Sequence, residues 1–341
     1  MAADLDPELI ALFDKVGVPA SEIPDDPGEQ AERISDAVLR RDDRHSLRDI
    51  ATILDDDPDE LCVVFAEIGI RVTDVDAVHF DDRDVEMARF IRSATGQVLL
   101  ESEGLEILNV IGSSLETLAE AAVAGHVQGP ERRLESELEG VQLNAAVSEL
   151  GLALADVLPM VFRHQLLQSA LRQRRTQNRD HRELVELSVG FVDLVGFTAL
   201  SQSRSSLDLV EFVREFERAA HGAARRHDAR IAKLIGDEVM FVAESPTAAT
   251  AFATDLVTTF RTDDVVPRGG VACGSIITLH GDYFGTIVNM AARLVDHAVP
   301  AEVLVTEGVA RELGDRAVAA GRRMLKGFTE PVTVWSVSSP E

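Results

Sequence analysis

The sequence predicts two domains of different class, an all-helical domain followed by an α+β domain. The chain has 341 residues, which is long enough for two ordinary domains, and 45% of them are hydrophobic, as in a globular protein. Apolar residues in 1–157 recur mostly at helical spacing, whereas strand-like and helical segments alternate over 185–341. We therefore expect an all-helical domain over 1–157 and an α+β domain built on one sheet over 185–341.

The N-terminal domain is predicted from four amphipathic segments separated by turns rich in Asp and Pro: ELIALFDKVGV, SLRDIATIL, DELCVVFAEIGI and DVEMARFIRSA. The second and third segments have the outline of a helix-turn-helix around an acidic turn that contains Pro58. A DNA-reading helix needs basic and amide side chains, and the third segment carries acidic and apolar ones instead. We interpret this pair as a packing unit.

A connecting helix and a linker are predicted over 158–184. The apolar residues Val161, Leu166, Leu167 and Leu171 have helical spacing, and a basic, polar segment follows them. The linker is expected near residues 175 to 184.

Composition restricts the partners and the location of the protein. A net charge of -26 opposes binding to nucleic acid and to anionic membranes. No run of apolar residues approaches the roughly 18 that a membrane helix needs, and the N-terminus is acidic, unlike a secretory signal. Cys62 and Cys273 fall in different predicted domains, so they indicate neither a disulfide framework nor a zinc site. We expect a cytoplasmic protein without a membrane span.

Two aspartates are predicted to lie at one edge of the sheet. In VGFVDLVGFTAL, Asp193 is near the end of an apolar strand, and Gly196 can turn the chain into a helix at about 198. Asp237 follows Gly236 between two strand-like segments, so we expect it at the tip of a hairpin. Each aspartate alone could be a turn residue. Together they are the hard oxygen ligands that Mg²⁺ or Mn²⁺ prefers.

Polar residues in two further segments are candidates for a nucleotide site. Lys233 lies four residues before Asp237, about 13 Å along a strand, so we expect it to need another partner. Asp282 lies in a predicted loop between two glycines. Asn289 and Arg293 share one face of the helix predicted to follow from about 286. An arginine aimed at developing phosphoryl charge is a common catalytic arrangement, although such residues also occur on ordinary solvated surfaces.

Four motifs, FVDLVGFT, KLIGDEVMF, GDYFGTIVNMAAR and LKGFTEPVTVW, occur in this order over residues 186–338. Together they resemble the class III nucleotidyl cyclases, and the arrangement of a helical domain, a connecting helix and one such domain resembles soluble actinobacterial adenylate cyclases. The resemblance implies a ferredoxin-like α/β sandwich, a homodimer with active sites between the two catalytic domains, and a regulatory role for the N-terminal domain.

The resemblance also implies roles for the motif residues. Asp193 and Asp237 resemble the aspartates that hold two divalent ions, Mg²⁺ or Mn²⁺, in the family. Lys233 and Asp282 resemble the base-selecting pair, which one subunit contributes to the metal site of the other. Lysine can donate to adenine N1 and aspartate can accept from the 6-amino group, whereas guanine has the opposite polarity at both points. ATP is therefore the expected substrate.

The remaining roles concern the ribose and the phosphates. Asn289 resembles the residue that orients the ribose, and Arg293 the residue that stabilises the transition state at the α-phosphate. Lys326 resembles the triphosphate-binding lysine. An additional arginine on the fourth strand of some members is not evident at CGSI, so part of the phosphate contact stays unassigned.

Other interpretations remain open. One is a guanylate cyclase or a diguanylate-forming relative, and another is a noncatalytic module that binds ATP as a signal. The effector of the N-terminal domain could be a proton, a lipid or another small molecule. His164 and His181 flank the connector and are candidates for a pH switch, the alternative being that they are ordinary surface histidines.

Overall fold

The computed structural model describes residues 5–39, 43–97, 101–127, 136–176, 184–279 and 281–337. The chain divides into two compact units, Met1–Leu167 and Gln168–Glu341.

The first unit is predominantly helical, as predicted. Its helices are α1 (Pro7–Lys15), α2 (Pro27–Leu39), α3 (Leu47–Leu54), α4 (Pro58–Glu67), α5 (Asp82–Gln97) and α6 (Glu101–Val127), followed by the start of α7 (Glu137–Thr176). Helix α3 begins with a capping box in which the Ser46 hydroxyl accepts from the Asp49 amide and the Asp49 carboxylate accepts from the Ser46 amide. Leu47, Ile50 and Phe65 are fully buried in the core that α3 and α4 share, which agrees with a packing unit.

The first unit departs from the all-helical prediction at one place. Strands β1 (His45–Ser46) and β2 (Val78–Phe80) form a short antiparallel ladder. Two or three residues are too few to produce a recognisable alternation of polar and apolar side chains, so the sequence pattern does not reveal them.

Helix α7 is longer than the connecting helix predicted from residue 158. It begins at Glu137 and continues through Pro159 as far as Thr176, and the linker predicted after it falls mostly outside the described residues. Among the described residues, α7 contains the one segment, Leu138–Arg172, that is long and apolar enough to cross a membrane. Length and composition alone are weak support for a membrane span, so the absence of a span in this protein stays a prediction.

The second unit is the predicted α+β domain. Its strands are β3 (Leu184–Val195), β4 (Ala229–Ile235), β5 (Glu238–Ala243), β6 (Val266–Leu279), β7 (Asp282–Phe284), β8 (Val303–Thr306), β9 (Ala317–Arg323) and β10 (Val332–Val337). Its helices after α7 are α8 (Phe197–Ser203), α9 (Ser206–Arg226), α10 (Pro246–Thr259), α11 (Thr286–His297) and α12 (Glu307–Leu313).

The described strands of this unit form one sheet in the order β4-β5-β3-β6-β8-β10-β9, and β7 pairs with β6. Neighbours among the first four are antiparallel. With α9 after β3 and α10 after β5, this is the ferredoxin-like order that the resemblance implies. Strand β7 corrects the prediction of a loop at residues 282–284, which instead pair with the end of β6, and β9 is a further strand that was not predicted.

The two faces of this sheet have separate cores. On one face, α9, α10 and α12 bury a cluster that includes Phe216, Phe241 and Phe252. On the other, α11 packs against β3 and β6 through Val288, Ala291 and Val295. Gly270 on β6 permits this approach, because a Cβ there would lie 2.6 Å from the Val295 nitrogen and 2.7 Å from the Ala291 oxygen.

Candidate active site

Asp193 lies near the end of the central strand β3, opposite Glu238 of β5 and Arg268 of β6. Its Oδ2 accepts two hydrogen bonds from Arg268, at 3.0 Å from Nε and 2.8 Å from Nη2. Strand β3 continues only to Val195, and Gly196 then adopts φ +99° before α8 begins. The predicted position at a strand end is confirmed.

Asp237 occupies the tip of the β4–β5 hairpin, as predicted, beside Gly236 with φ +63°. The hairpin lies next to β3, so Asp237 and Asp193 are at the same edge of the sheet. Burial raises the pKa of Asp237, and the negative charge of Asp193 raises it further. The two carboxylates are therefore close enough to repel each other.

Glu238 adds a third carboxyl group to this edge. Burial raises the pKa of Glu238 to about 7, with additional contributions from Asp193, Asp296 and Asp237, while Arg268 opposes the shift. The edge is thus an acidic cluster with one arginine at its centre.

Arg268 was not among the predicted site residues. It lies on β6, the strand that contains CGSI, but six residues before Gly274. Besides Asp193, its Nη1 donates to the backbone oxygens of Asp296 at 3.1 Å and Ala298 at 3.3 Å. Its signal in the sequence is a single charge in the strand segment VPRGGVACGSI, outside the CGSI segment where an additional arginine was sought.

Asn289 and Arg293 lie one turn apart on α11, as predicted. Asn289 is exposed, and the Arg293 Nη1 lies 3.1 Å from the Asp296 Oδ2. Val288 and Val295 are buried on the opposite side of the helix. The packing of α11 therefore leaves both polar side chains accessible to solvent, with Arg293 paired to Asp296.

Lys233 and Asp282 contact each other. The Lys233 Nζ lies 2.5 Å from the Asp282 Oδ2, with 45% and 23% of the two side chains exposed. Lys233 is on β4 and Asp282 on β7, so two strands distant in sequence bring the pair together. Asp282 is the partner that Lys233 was expected to need.

Lys326 is exposed in the turn between β9 and β10. The residue before it, Leu325, is buried against Leu294 and Ala298 at the C-terminal half of α11. Lys326 thus follows a residue anchored to the helix that carries Asn289 and Arg293.

The donor set at the sheet edge fits divalent ions only in part. Among the described residues, no group of three or more His, Cys, Asp or Glu side chains is arranged to hold a metal ion. Mg²⁺ is commonly held by one or two carboxylates together with substrate phosphates. Burial, and to a smaller extent the charge of Asp193, raise the pKa of Asp237, and a divalent cation bound between the two carboxylates would favour their ionised forms. The pair fits ions that arrive with a nucleotide.

Comparisons with known proteins give named relatives. The chain is 31% identical to a pH-sensitive adenylate cyclase of Mycobacterium tuberculosis over 285 residues, 78% of this chain and 71% of that protein. It is 31% identical to an uncharacterized protein of the same organism over 82% of this chain and 75% of that protein. An adenylate cyclase of Streptomyces coelicolor is 34% identical over 63% of this chain and 58% of that protein.

Solved structures that resemble the chain include an adenylyl cyclase from P. aeruginosa, with TM-score 0.42 and 22% identity over 46% of this chain and 96% of that one. An adenylate/guanylate cyclase/hydrolase from Silicibacter pomeroyi has TM-score 0.41 and 24% identity over 47% of this chain and 99% of that one. No family model matches the sequence. On the extent of its identity with the named relatives, the chain belongs to the class III adenylate cyclase family.

Proposed function

We propose that the protein converts ATP to 3′,5′-cyclic AMP and pyrophosphate, at sites shared between the two subunits of a homodimer. The observation that carries the choice of ATP is the contact between Lys233 and Asp282. A lysine donor beside an aspartate acceptor matches adenine N1 and the 6-amino group, and it opposes the polarity of guanine.

Asp193 and Asp237 would hold two divalent ions, Mg²⁺ or Mn²⁺, together with the triphosphate. When bound, the ions would activate the ribose 3′-hydroxyl and neutralise charge on the pyrophosphate. The supporting observations are the position of both carboxylates at one edge of the sheet and the electrostatic effect of Asp193 on Asp237.

The phosphates and the ribose would be held by nearby cationic and amide side chains. Arg293 is proposed to stabilise charge that develops at the α-phosphate, and Asn289 to orient the ribose for in-line attack by its 3′-oxygen. Lys326 is proposed to contact the triphosphate. Arg268, adjacent to Asp193, is a further candidate for the phosphate contact that the sequence left unassigned.

A homodimer is proposed because the resemblance assigns the metal pair and the base-selecting pair to different subunits. Helix α7 supports self-association independently, since Leu150, Leu154, Val157 and Val161 are exposed along it. A helix with exposed apolar residues of this kind normally packs against another surface. We propose that the exposed apolar residues of α7 pack against a second copy of the chain.

Regulation is proposed to reside in the N-terminal unit, with a proton, a lipid or another small molecule as the effector. The similarity to a pH-sensitive adenylate cyclase supports a proton as the effector. His164 is exposed on α7, while His181 lies outside the described residues. The net charge of -26 continues to argue against nucleic acid as a partner, and a cytoplasmic location remains part of the proposal.

One experiment separates the candidate functions. Purified full-length protein is mixed with ATP or GTP in the presence of Mg²⁺ or Mn²⁺, and the cyclic product and pyrophosphate are quantified from pH 5 to pH 8. Cyclic AMP formation supports the proposal, cyclic GMP formation favours a guanylate cyclase, and ATP binding without turnover favours a noncatalytic module. Residues 168–341, the second compact unit, are assayed in parallel, since greater activity in this fragment would support inhibition by the N-terminal unit.

A further inference from the structure

Two cationic side chains of strand β4 contact residues of β7, a strand that pairs with β6 and is not next to β4 in the sheet. The Lys233 ammonium group contacts Asp282 of β7. Arg230, three residues earlier, contacts the next residue of β7, because its Nη2 donates to the Tyr283 hydroxyl and its Cζ lies 5.4 Å from the centre of the Tyr283 ring. The base-selecting pair and the Arg230–Tyr283 contact are therefore neighbours on the same two strands.

A β-bulge explains how both cations reach β7. On a regular strand, residues three apart point to opposite faces of the sheet. Arg230 pairs with Val242, but Lys233 pairs with Met240, because the register shifts by one residue just before Lys233. Val242 and Met240 belong to the core cluster on the α11 face. The bulge therefore places Arg230 and Lys233 on that same face.

The backbone of Tyr283 also forms a hydrogen bond with the carboxylate of Asp282. The Tyr283 amide nitrogen donates to the Asp282 Oδ1 at 2.7 Å, while Oδ2 accepts from Lys233. The Tyr283 ring is 8% exposed and packs in the same cluster as Ile276 and Val288. A shift of Tyr283 would move the Asp282 carboxylate with it.

We propose that Arg230 and Tyr283 are positioning residues that fix the Lys233–Asp282 pair for recognition of the purine base. This inference rests on the proposed role of that pair in selecting ATP. Two hydrogen bonds to a base discriminate only when donor and acceptor are held at the correct separation. The Arg230–Tyr283 contact joins β4 to β7 three residues from Lys233 and one residue from Asp282, so it restricts that separation without touching the nucleotide.

The test compares full-length Tyr283→Phe and Arg230→Lys with the unmodified protein. Tyr283→Phe keeps the buried ring and removes the hydroxyl acceptor, and Arg230→Lys keeps the charge and removes the planar guanidinium. For each, kcat and KM are measured with ATP and with GTP. We expect the ratio of kcat/KM for ATP to that for GTP to fall about tenfold, mainly through a higher KM for ATP, as for a small misplacement of a binding group.

Two further variants make the result interpretable. Arg226→Lys makes the same substitution at an arginine outside the proposed site, where the side chain contacts Asp255 at 2.8 Å between α9 and α10. It should leave the ratio of kcat/KM for ATP to that for GTP unchanged. Arg230→Ala should lower the ratio more than Arg230→Lys, because the lysine can still donate to the tyrosine hydroxyl. A merely structural contact would lower the melting temperature without changing the ratio.

Asp282→Ala separates failure of the inference from failure of the proposed function. If Asp282→Ala lowers the ratio and both Tyr283→Phe and Arg230→Lys leave it unchanged, the positioning role is overturned. If Asp282→Ala itself leaves the ratio unchanged, base selection by the Lys233–Asp282 pair is wrong, and the positioning role fails with it. A fall in the ratio for Asp282→Ala and for either positioning variant, with Arg226→Lys unaffected, supports the proposal.

Discussion

At the scale of single residues, Arg293 provides the most direct prediction about chemistry. Replacing it with alanine should lower kcat for cyclic AMP formation by roughly 10²- to 10³-fold, as expected when a preorganised transition-state donor is removed. KM for ATP should change much less, because the interaction is made mainly in the transition state. Steady-state kinetics at saturating ATP and metal ion measure both.

A matched control is Arg311→Ala on α12, where the arginine forms an exposed contact of 3.5 Å with Glu307. Exposed pairs of this kind contribute little to stability, so its kcat should match that of the unmodified protein. An unchanged kcat for Arg293→Ala would contradict the proposed role.

Asp193→Asn tests the metal site while preserving the size of the side chain. We expect activity to be lost at any concentration of Mn²⁺ or Mg²⁺, because a neutral amide is a poor ligand for these ions. The protein should stay folded, since the amide oxygen can still accept from Arg268. Circular dichroism checks folding, and titration with Mn²⁺ in the presence of ATP checks activity. Recovery of full activity at high Mn²⁺ would argue that Asp193 is not a ligand.

The positions in the fold of many candidate site residues could be predicted from single residues and their spacing. Asp193 and Asp237 were identifiable because a carboxylate in an apolar strand or at a hairpin tip is conspicuous. Arg268 was not, because one arginine in a strand has no periodic signal, and its importance depends on the register that sets it opposite Asp193. Lys233 and Asp282 were paired through the resemblance alone, because the bulge in β4 just before Lys233 has no signal in the sequence.

At the scale of elements, the packing of α11 on the sheet depends on Gly270. Gly270→Ala would bring a methyl group within 2.7 Å of backbone atoms of Val295 and Ala291, so α11 must move. We expect a loss of about 1–3 kcal/mol in the free energy of unfolding, typical of overpacking, and lower activity because α11 carries Asn289 and Arg293. Denaturant unfolding and the cyclase assay measure these two effects.

Gly222→Ala on α9 is the corresponding control. A methyl group there would meet the ends of two flexible side chains, Arg226 at 3.3 Å and Arg225 at 4.0 Å, and alanine favours a helix over glycine by roughly 0.5–1 kcal/mol. Equal stability of the two variants would contradict the packing argument.

The elements with clear periodicity were predicted, and the missed ones are short or exposed. Strand β7 has three residues and is defined by its partner on β6, while β9 has no run of large apolar residues to mark it. The start of α7 was predicted too late, at residue 158. The helical spacing of apolar residues has no strong break over 137–157, so this segment was assigned to the helical domain. Pairing and packing, which a local pattern does not encode, define these boundaries.

At the scale of the whole molecule, shared active sites predict complementation between two inactive chains. We propose that Arg293, like the base-selecting pair, acts at the metal site of the other subunit. Asp193→Asn then removes the metal site of one subunit, and Arg293→Ala removes the transition-state donor of the other. Homodimers of either variant contain no intact site, but a mixed dimer contains one. The purified mixed dimer should therefore have about half of the activity of the unmodified dimer, since one of its two sites is intact.

The two variants are co-expressed with different tags, and the mixed dimer is purified before the assay. A mixed dimer as inactive as its parents would show that each site is built from one chain. The double variant, Asp193→Asn with Arg293→Ala, paired with the unmodified chain is the control, because this arrangement leaves no intact shared site.

We propose that this acidic, two-unit chain makes cyclic AMP from ATP by means of the motif residues. The most direct measurement is cyclic nucleotide formation by the full-length protein from ATP and from GTP with Mn²⁺, alongside Asp193→Asn. We predict cyclic AMP from ATP, little cyclic GMP from GTP, and no product from the variant. Equal or greater turnover of GTP would contradict selectivity for ATP. Undiminished activity of Asp193→Asn would contradict the proposed role of Asp193 as a metal ligand.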